Sequence, residues 1–308
     1  MPDLATDSRS SVLSRLEWRL RTIFSEDPIL CEFLDEPYFW SGQGIRGKLC
    51  LQVGKIYGLE EDAQLNIAAA TEFLHNASLL HDDIIDEDTE RRGHPTIWKK
   101  YGKEKALLLG DLMIAKSFYL VTQIKTDHET LTRLTHEVSH AVSSAVRGAV
   151  RELDFDLQQE SQVFHSYHQV CADKTGALFA LPVRCIGILA KLSDNELDHL
   201  TTIFTNLAVA YQMKDDQADF LGSKIGRSQS SDILNARPNL FHLLLSSGLS
   251  ESDTSQFIFD QHHSLVSEAL SLSCTLPADL KTMLKDLLLP FVGLNSKLST
   301  PAKLSVTG

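Results

Sequence analysis

Two short runs of aspartate carry the chemistry most plainly. Residues 82–86 read D-D-I-I-D and residues 215–219 read D-D-Q-A-D, each with carboxylates at i, i+1 and i+4. On a helix, positions i and i+4 share one face about 6 Å apart, so Asp82 with Asp86, and Asp215 with Asp219, present paired carboxylates in one direction. Like charges so placed repel. A hard cation between them removes the repulsion, and oxygen ligands in this pattern suit Mg2+ held partly by water and a substrate phosphate. A solvated acidic face is the plainer reading of one such run. Here, however, F-L-H-N-A-S-L-L precedes the first run and L-A-V-A-Y-Q-M the second, which puts both at the ends of apolar helical stretches. Arg91 and Arg92 follow the first run, where guanidinium forks can clamp diphosphate oxygens. Lys174, Thr175, Arg227 and Arg237 add further cations and a hydroxyl. Together these residues describe a pocket for several divalent ions and a polyphosphate.

The elements that must hold these groups are helices. Proline and glycine are sparse, with 9 and 16 in 308 residues, and no Asn-Gly or Asp-Gly hairpin signal separates alternating strands. Segments 64–86, 104–121, 128–150, 165–191, 196–220 and 277–294 carry apolar residues at helical spacing over lengths no strand reaches. Residues 222–239 cluster glycine, serine and charge and read as a loop, and the tail 296–308 reads as frayed. With no linker and no repeat, one all-α domain over residues 1–295 is the expected organisation. Composition, 43% hydrophobic and 23% charged, excludes disorder. A net charge of −12 excludes broad nucleic-acid binding. Five cysteines without a C-x-x-C pair read as reduced thiols, mostly in the core. The first residues lack the apolar core of a secretory leader, and no apolar run approaches the roughly 18–20 residues of a membrane span. A cytoplasmic protein is therefore expected.

At this point the sequence resembles the trans-prenyltransferases, the all-trans polyprenyl diphosphate synthases. The resemblance rests on E-F-L-H-N-A-S-L-L-H-D-D-I-I-D-E-D-T-E-R-R-G-H-P-T (72–96), G-D-L (110–112), K-T-G-A-L-F (174–179) and Y-Q-M-K-D-D-Q-A-D (211–219), in the family's order and spacing. It implies a single-domain antiparallel helical bundle around a deep apolar cavity, with the aspartate runs facing across its mouth. It also implies an enzyme that ionises an allylic diphosphate with three Mg2+ ions and alkylates isopentenyl diphosphate, giving a longer polyprenyl diphosphate. In that scheme Asp82, Asp86 and Asp215 ligate metal directly, and Asp219 belongs to the same metal set while supporting them. Asp83 and Asp216 have supporting roles as well. Arg91 and Lys174 hold the allylic diphosphate, Thr175 and Gln212 lie beside the cation, and pyrophosphate accepts the final proton. A homodimer is likewise implied.

The resemblance breaks at the acceptor. Where the family's isopentenyl site opens with G-G-K-x-x-R-P, residues 41–47 read S-G-Q-G-I-R-G, so Gln43 stands at the lysine position. Arg46, His75 and Arg92 remain as the other acceptor-diphosphate residues. Lys48, two positions past Arg46, is expected to face elsewhere. Losing one charged hydrogen bond would cost on the order of 1.5–3 kcal/mol. Arg227 and Arg237 replace family lysines, keeping charge but not shape. Gly148-Ala149 stands where a G-Q pair is usual. Alternatives therefore stay open: a terpene synthase on the same scaffold, transfer to a different acceptor, or a regulatory subunit of a heteromeric synthase.

In the resemblance, residues one turn before the first aspartate run limit product length. Here these are Ala77 and Ser78, small enough to leave depth and to favour chains of C20 or longer. Leu74 and Phe118 are alternative floors. The histidine pairs 136/140 and 262/263 read as surface residues, and His81 reads as packing or support. Tyr211 and Phe220 could face a cation, although core packing is the commoner role.

Overall fold

The computed structural model describes residues 10–155, 163–220 and 238–288. In chain order its helices are α1 (Ser10–Glu26), α2 (Pro37–Trp40), α3 (Ile45–Ile56), α4 (Glu61–Ile85), α5 (Ile97–Tyr101), α6 (Lys103–Thr122), α7 (His128–Leu153), α8 (Val163–Cys171), α9 (Ala177–Leu189), α10 (Asp194–Phe220), α11 (Leu240–Ser246), α12 (Glu251–Leu272) and α13 (Ala278–Met283). Arg227, Arg237, most of the expected loop 222–239, the end of the 277–294 segment and the tail 296–308 lie outside the described residues.

The architecture is an all-α bundle, as the periodicity predicts. In α4 every residue from Gln64 to Leu74 is buried, the mark of a helix at the centre of a bundle rather than on its surface. Helices α1, α3, α5, α6 and α9 pack around it. The second aspartate helix, α10, is buried along Leu197, Leu200, Ile203, Phe204 and Leu207 and packs against α8, α9, α11 and α12. Short connections at 57–60, 123–127 and 190–193 make the helices they join antiparallel neighbours. Caps fix several starts. The Asp127 carboxylate accepts from the Thr130 amide at 2.9 Å, and the Ser250 hydroxyl accepts from that of Asp253 at 3.2 Å. Each such cap contributes about 1 kcal/mol.

Three local features depart from the sequence reading. First, 165–191 is a single rod only in outline: α8 and α9 are joined by a π-helical turn over Ala172–Gly176, the stretch A-D-K-T-G. Second, residues 90–95 form a small hairpin, Glu90–Arg91 (β1) pairing with His94–Pro95 (β2). Its two turn residues, Arg92 at φ +55° and Gly93 at φ +78°, are both left-handed, the pattern of a type I′ turn. Arg-Gly thus does what Asn-Gly does elsewhere, with Arg92 held at a cost of roughly 1–2 kcal/mol. Third, α12 buries Thr254, Ile258, His262, Leu265 and Ala269. Polar residues occupy two of these five core positions, which is why an apolar count passes over the helix. His262 is therefore a core residue, not a surface one, whereas His263, His136 and His140 are exposed. The cysteines are free, with Cys50, Cys171 and Cys185 buried and Cys31 and Cys274 exposed.

Candidate active site

A cavity of about 1130 Å³ is lined by residues of α1, α3, α4, α6, α7, α9 and α10 together with the π turn. Its volume exceeds the roughly 300–1,000 Å³ of most small-ligand sites. Apolar side chains, among them Leu74, Met113, Ile114, Val142 and Ala145, line much of it, and Ala77 and Ser78 border it from α4. Phe118 is not on its wall, whereas Leu74 is. Tyr211 borders the cavity, while Phe220 stacks on Phe241 with ring centres 4.9 Å apart and belongs to the core.

The aspartates reach this cavity unequally. Asp82, Asp215 and Asp216 border it; Asp83 and Asp219 are buried off the wall, and Asp86 caps the end of α4. Among the described residues no three His, Cys, Asp or Glu side chains gather to hold a metal by themselves. The wall offers carboxylate oxygens from two separate helices, which fits a Mg2+ completed by substrate phosphate and water.

Lys174 lies beside Asp82, between it and a glutamate of α7. Its ammonium hydrogen-bonds Glu152 of α7 and sits 3.4 Å from Asp82 Oδ1. Burial works against this charge, but Asp82 and Glu152 outweigh it and raise the lysine above its ordinary value, so it stays protonated. The π turn presents Lys174 and Thr175 to the cavity, and π-bulges recur at functional sites for this kind of local re-aiming. Gly148 permits it: a Cβ there would lie 2.5 Å from the Lys174 amide nitrogen. Gln212 borders the cavity and donates to Asp216 Oδ1 at 2.9 Å.

A cationic pole occupies the other polar part of the wall. Arg46, His75 and Arg92 all border the cavity, with Gln43 beside them. Lys48 borders it too, against the helix-face expectation, because a long side chain in the first turn of α3 can bend toward the opening. The glycines of S-G-Q-G-I-R-G explain how this pole is assembled. A Cβ at Gly42 would lie 2.7 Å from Arg92 Nη1, and one at Gly47 would lie 2.2 Å from Leu16 Cδ2. Gly44 caps α3 at φ +57°. The Gly47 amide donates to buried Glu72 at 2.8 Å. Arg46 lies over the Phe179 ring, 5.7 Å from its centre, with a buried Nε that has no hydrogen-bond acceptor among the described residues. Burial, and then the neighbouring cation, lower Arg46 and Arg92. Burial with Arg46, Arg92 and Arg91 pushes His75 well below its usual 6.5. Burial raises Glu72 against the pull of the Gly47 amide, Arg46, Arg92 and Lys48. Two crowded, desolvated guanidinium groups of this kind are relieved by an anion.

Arg91 has a carboxylate partner that the sequence did not announce. Although it borders the cavity, its Nε and Nη2 donate to Asp83 Oδ1 at 2.7 and 2.5 Å. Burial raises the Asp83 carboxyl against the pull of Arg91 and Tyr38. Arg91, despite its own burial, is raised by Asp83. His81 packs over Gly110, where a Cβ would lie 2.3 Å from Nε2, and also borders the cavity. Sequence reasoning did not single out Tyr38, Tyr167, Glu72 or Glu152, whose partners lie far along the chain.

A family model described as polyprenyl synthetase matches residues 27–267. The short chain isoprenyl diphosphate synthase of Methanocaldococcus jannaschii is 29% identical over 235 residues, 75% of this chain and 70% of that protein. The octaprenyl diphosphate synthase of Escherichia coli K12 is 31% identical over 207 residues, 66% of this chain but only 62% of that protein. Among solved structures, a geranylgeranyl pyrophosphate synthase superposes with a TM-score of 0.78 at 22% identity, covering 94% of this chain and 98% of its own. A polyprenyl synthase from Caulobacter crescentus CB15, complexed with calcium and isoprenyl diphosphate, also superposes at 0.78 with 22% identity, covering 92% and 94%. At these identities the solved structures bear on the fold.

Proposed function

The chain belongs to the polyprenyl synthetase family and is a prenyltransferase, and we propose that it condenses allylic diphosphates with isopentenyl diphosphate in a Mg2+-dependent reaction. One observation carries this reading. A single cavity is bordered by Asp82, Asp215 and Lys174, by Arg46 and Arg92 with His75 between their charges, and by an apolar interior within a volume of about 1130 Å³. These are the two diphosphate poles and the hydrocarbon channel that the reaction needs.

Mg2+, when bound at Asp82 and Asp215 with Asp86 and Asp219 one turn on, supplies positive charge to the leaving diphosphate; three ions are proposed. Lys174 adds a fixed cation on the same side and orients the allylic diphosphate. The carbon–oxygen bond breaks with its electron pair on the diphosphate, leaving an allylic cation beside Thr175 and Gln212. Arg46, His75 and Arg92 hold the acceptor diphosphate so that its double bond faces that cation, and the new carbon–carbon bond forms. The proton then lost passes to pyrophosphate. The apolar wall excludes water that would otherwise quench the cation. With Ala77 and Ser78 lining the cavity, products of C20 or longer are expected.

The α6 and α7 faces favour a homodimer. Leu108 and Tyr119 on α6 are exposed, as are Leu107, Val146, Val150 and Leu153, which also border the cavity. Among the described residues no helix is long and apolar enough to cross a membrane. The free cysteines suit a reducing, cytoplasmic setting.

Gln43 at the acceptor pole favours a second reading, a terpene synthase or a transferase to another acceptor. One experiment separates them: protein with Mg2+ and dimethylallyl, geranyl, farnesyl or geranylgeranyl diphosphate, each with and without isopentenyl diphosphate. Longer diphosphates formed only with isopentenyl diphosphate are the expected result. Hydrocarbons or alcohols formed without it would replace the first reading by the second.

A further inference from the structure

The two aspartate clusters are held from behind in the same way. Asp83 and Asp216 are the second carboxylates of their clusters, 1% and 2% exposed. Each accepts a hydrogen bond from a buried tyrosine far away in sequence. Tyr38 of α2 donates to Asp83 Oδ2 at 2.6 Å, and Tyr167 of α8 donates to Asp216 Oδ2 at 2.8 Å. Burial and the adjacent carboxylate push both phenols far above their usual 10.0, so both remain donors. The other contacts differ between the clusters. Asp83 takes the Arg91 fork. Asp216 takes Gln212 on Oδ1 and, on Oδ2, the Leu240 amide at 2.9 Å, while its main-chain carbonyl accepts from Asn239 Nδ2 at 3.0 Å.

Successive residues on a helix are turned by about 100°, so fixing the second carboxylate of a cluster fixes the direction in which the first one points. Tyr38 and Asp83 set this for α4 only two residues before the helix ends at Ile85. Tyr167 and Asp216 set it for α10, and Asp216 also joins that helix to the start of α11. We propose that Tyr38 and Tyr167 are positioning residues: acting through Asp83 and Asp216, they fix the rotation of the two helix ends so that Asp82 and Asp215 are already turned to the cavity for a divalent cation and diphosphate. This rests on the proposed prenyl-transfer reading of the site and deepens it.

The test uses the full chain, with Tyr38→Phe and Tyr167→Phe made singly and together. Each phenylalanine keeps the ring and removes only the hydroxyl. Calorimetric titration with inorganic pyrophosphate at several Mg2+ concentrations reads the binding directly, while circular dichroism and Tm report the fold. The expected result is an affinity for pyrophosphate with Mg2+ weakened about tenfold in each variant, as befits loss of a hydrogen bond to a charged group. Helical content should be retained, and the two effects should multiply in the double variant because the tyrosines act on separate helices. Should the variants lose only Tm and bind pyrophosphate within twofold of the parent, the tyrosines are packing residues and the proposal falls. A parent chain that binds no pyrophosphate with Mg2+ would instead remove the functional reading and, with it, this proposal.

Discussion

Gly148 of α7 and Lys174 of the π turn meet at their backbones, with room for a hydrogen at position 148 and not for a methyl group. Glu152, one turn further along α7, is the residue that hydrogen-bonds the Lys174 ammonium. One face of α7 therefore supplies both the gap that admits the lysine and the carboxylate that steadies it.

Gly148→Ala should displace Lys174 from Asp82 at an overpacking cost of about 1–3 kcal/mol. The expected outcome is a fall of at least about tenfold in kcat/KM for the allylic diphosphate, one such step being about 1.4 kcal/mol of transition-state stabilisation. Steady-state kinetics alongside Tm would check it. Unchanged kinetics with a lowered Tm would show that the close contact serves packing alone.

Gln43→Lys adds a cation beside Arg46, His75 and Arg92. The KM for isopentenyl diphosphate is expected to drop by about tenfold, the lower end for a charged hydrogen bond because Lys48 already borders the pole. The KM for the allylic substrate should stay within twofold. Equal changes in both constants would mean that Gln43 does not belong to the acceptor pole.

Ala77→Phe places a ring inside the apolar channel. Products analysed by chain length are expected to shorten by at least one C5 unit. Products of the parent's length would remove Ala77 as a determinant and leave Leu74, which borders the same cavity.

His75 titrates well below its ordinary 6.5 in the folded protein because of burial and then Arg46, Arg92 and Arg91. The unfolded chain therefore binds a proton that the folded one refuses, so the contribution of this residue is intact above pH 6.5 and is lost as pH falls below it. His75→Gln should flatten the decline of Tm on acidification relative to the parent. Parallel Tm curves would contradict the assignment. Diphosphate at the same pole offsets the arginines, so its binding to the parent should take up protons, measurable by calorimetry in buffers of differing ionisation enthalpy.

Helix positions were legible because long apolar periodicity is a local property: 104–121 is observed as Lys103–Thr122, and 196–220 as Asp194–Phe220. The aspartate runs were legible for the same reason, since i and i+4 fix a face before any tertiary contact exists. What escaped depends on contacts between remote segments. Tyr38 lies 45 residues from Asp83, and Tyr167 lies 49 from Asp216. Nothing in either neighbourhood of sequence marks the phenol as the carboxylate's partner. The π turn escaped because a lone glycine, Gly176, is tolerated inside a helical pattern and does not distinguish a π turn from ordinary helix. Arg92-Gly93 escaped because arginine is not a residue whose own preference selects a left-handed turn. The expected place of Arg91 at the cavity is met, but that its fork is shared with the buried Asp83 carboxylate was not legible, because that pairing arises only once the hairpin folds back on α4.

Leu107, Val146, Val150 and Leu153 border the cavity and are also exposed to solvent. The same four side chains thus meet both the cavity and solvent. A substitution made there to retune product length also rewrites the outer face, and one made to alter assembly also reshapes the channel. Either kind of change passes through the same four positions.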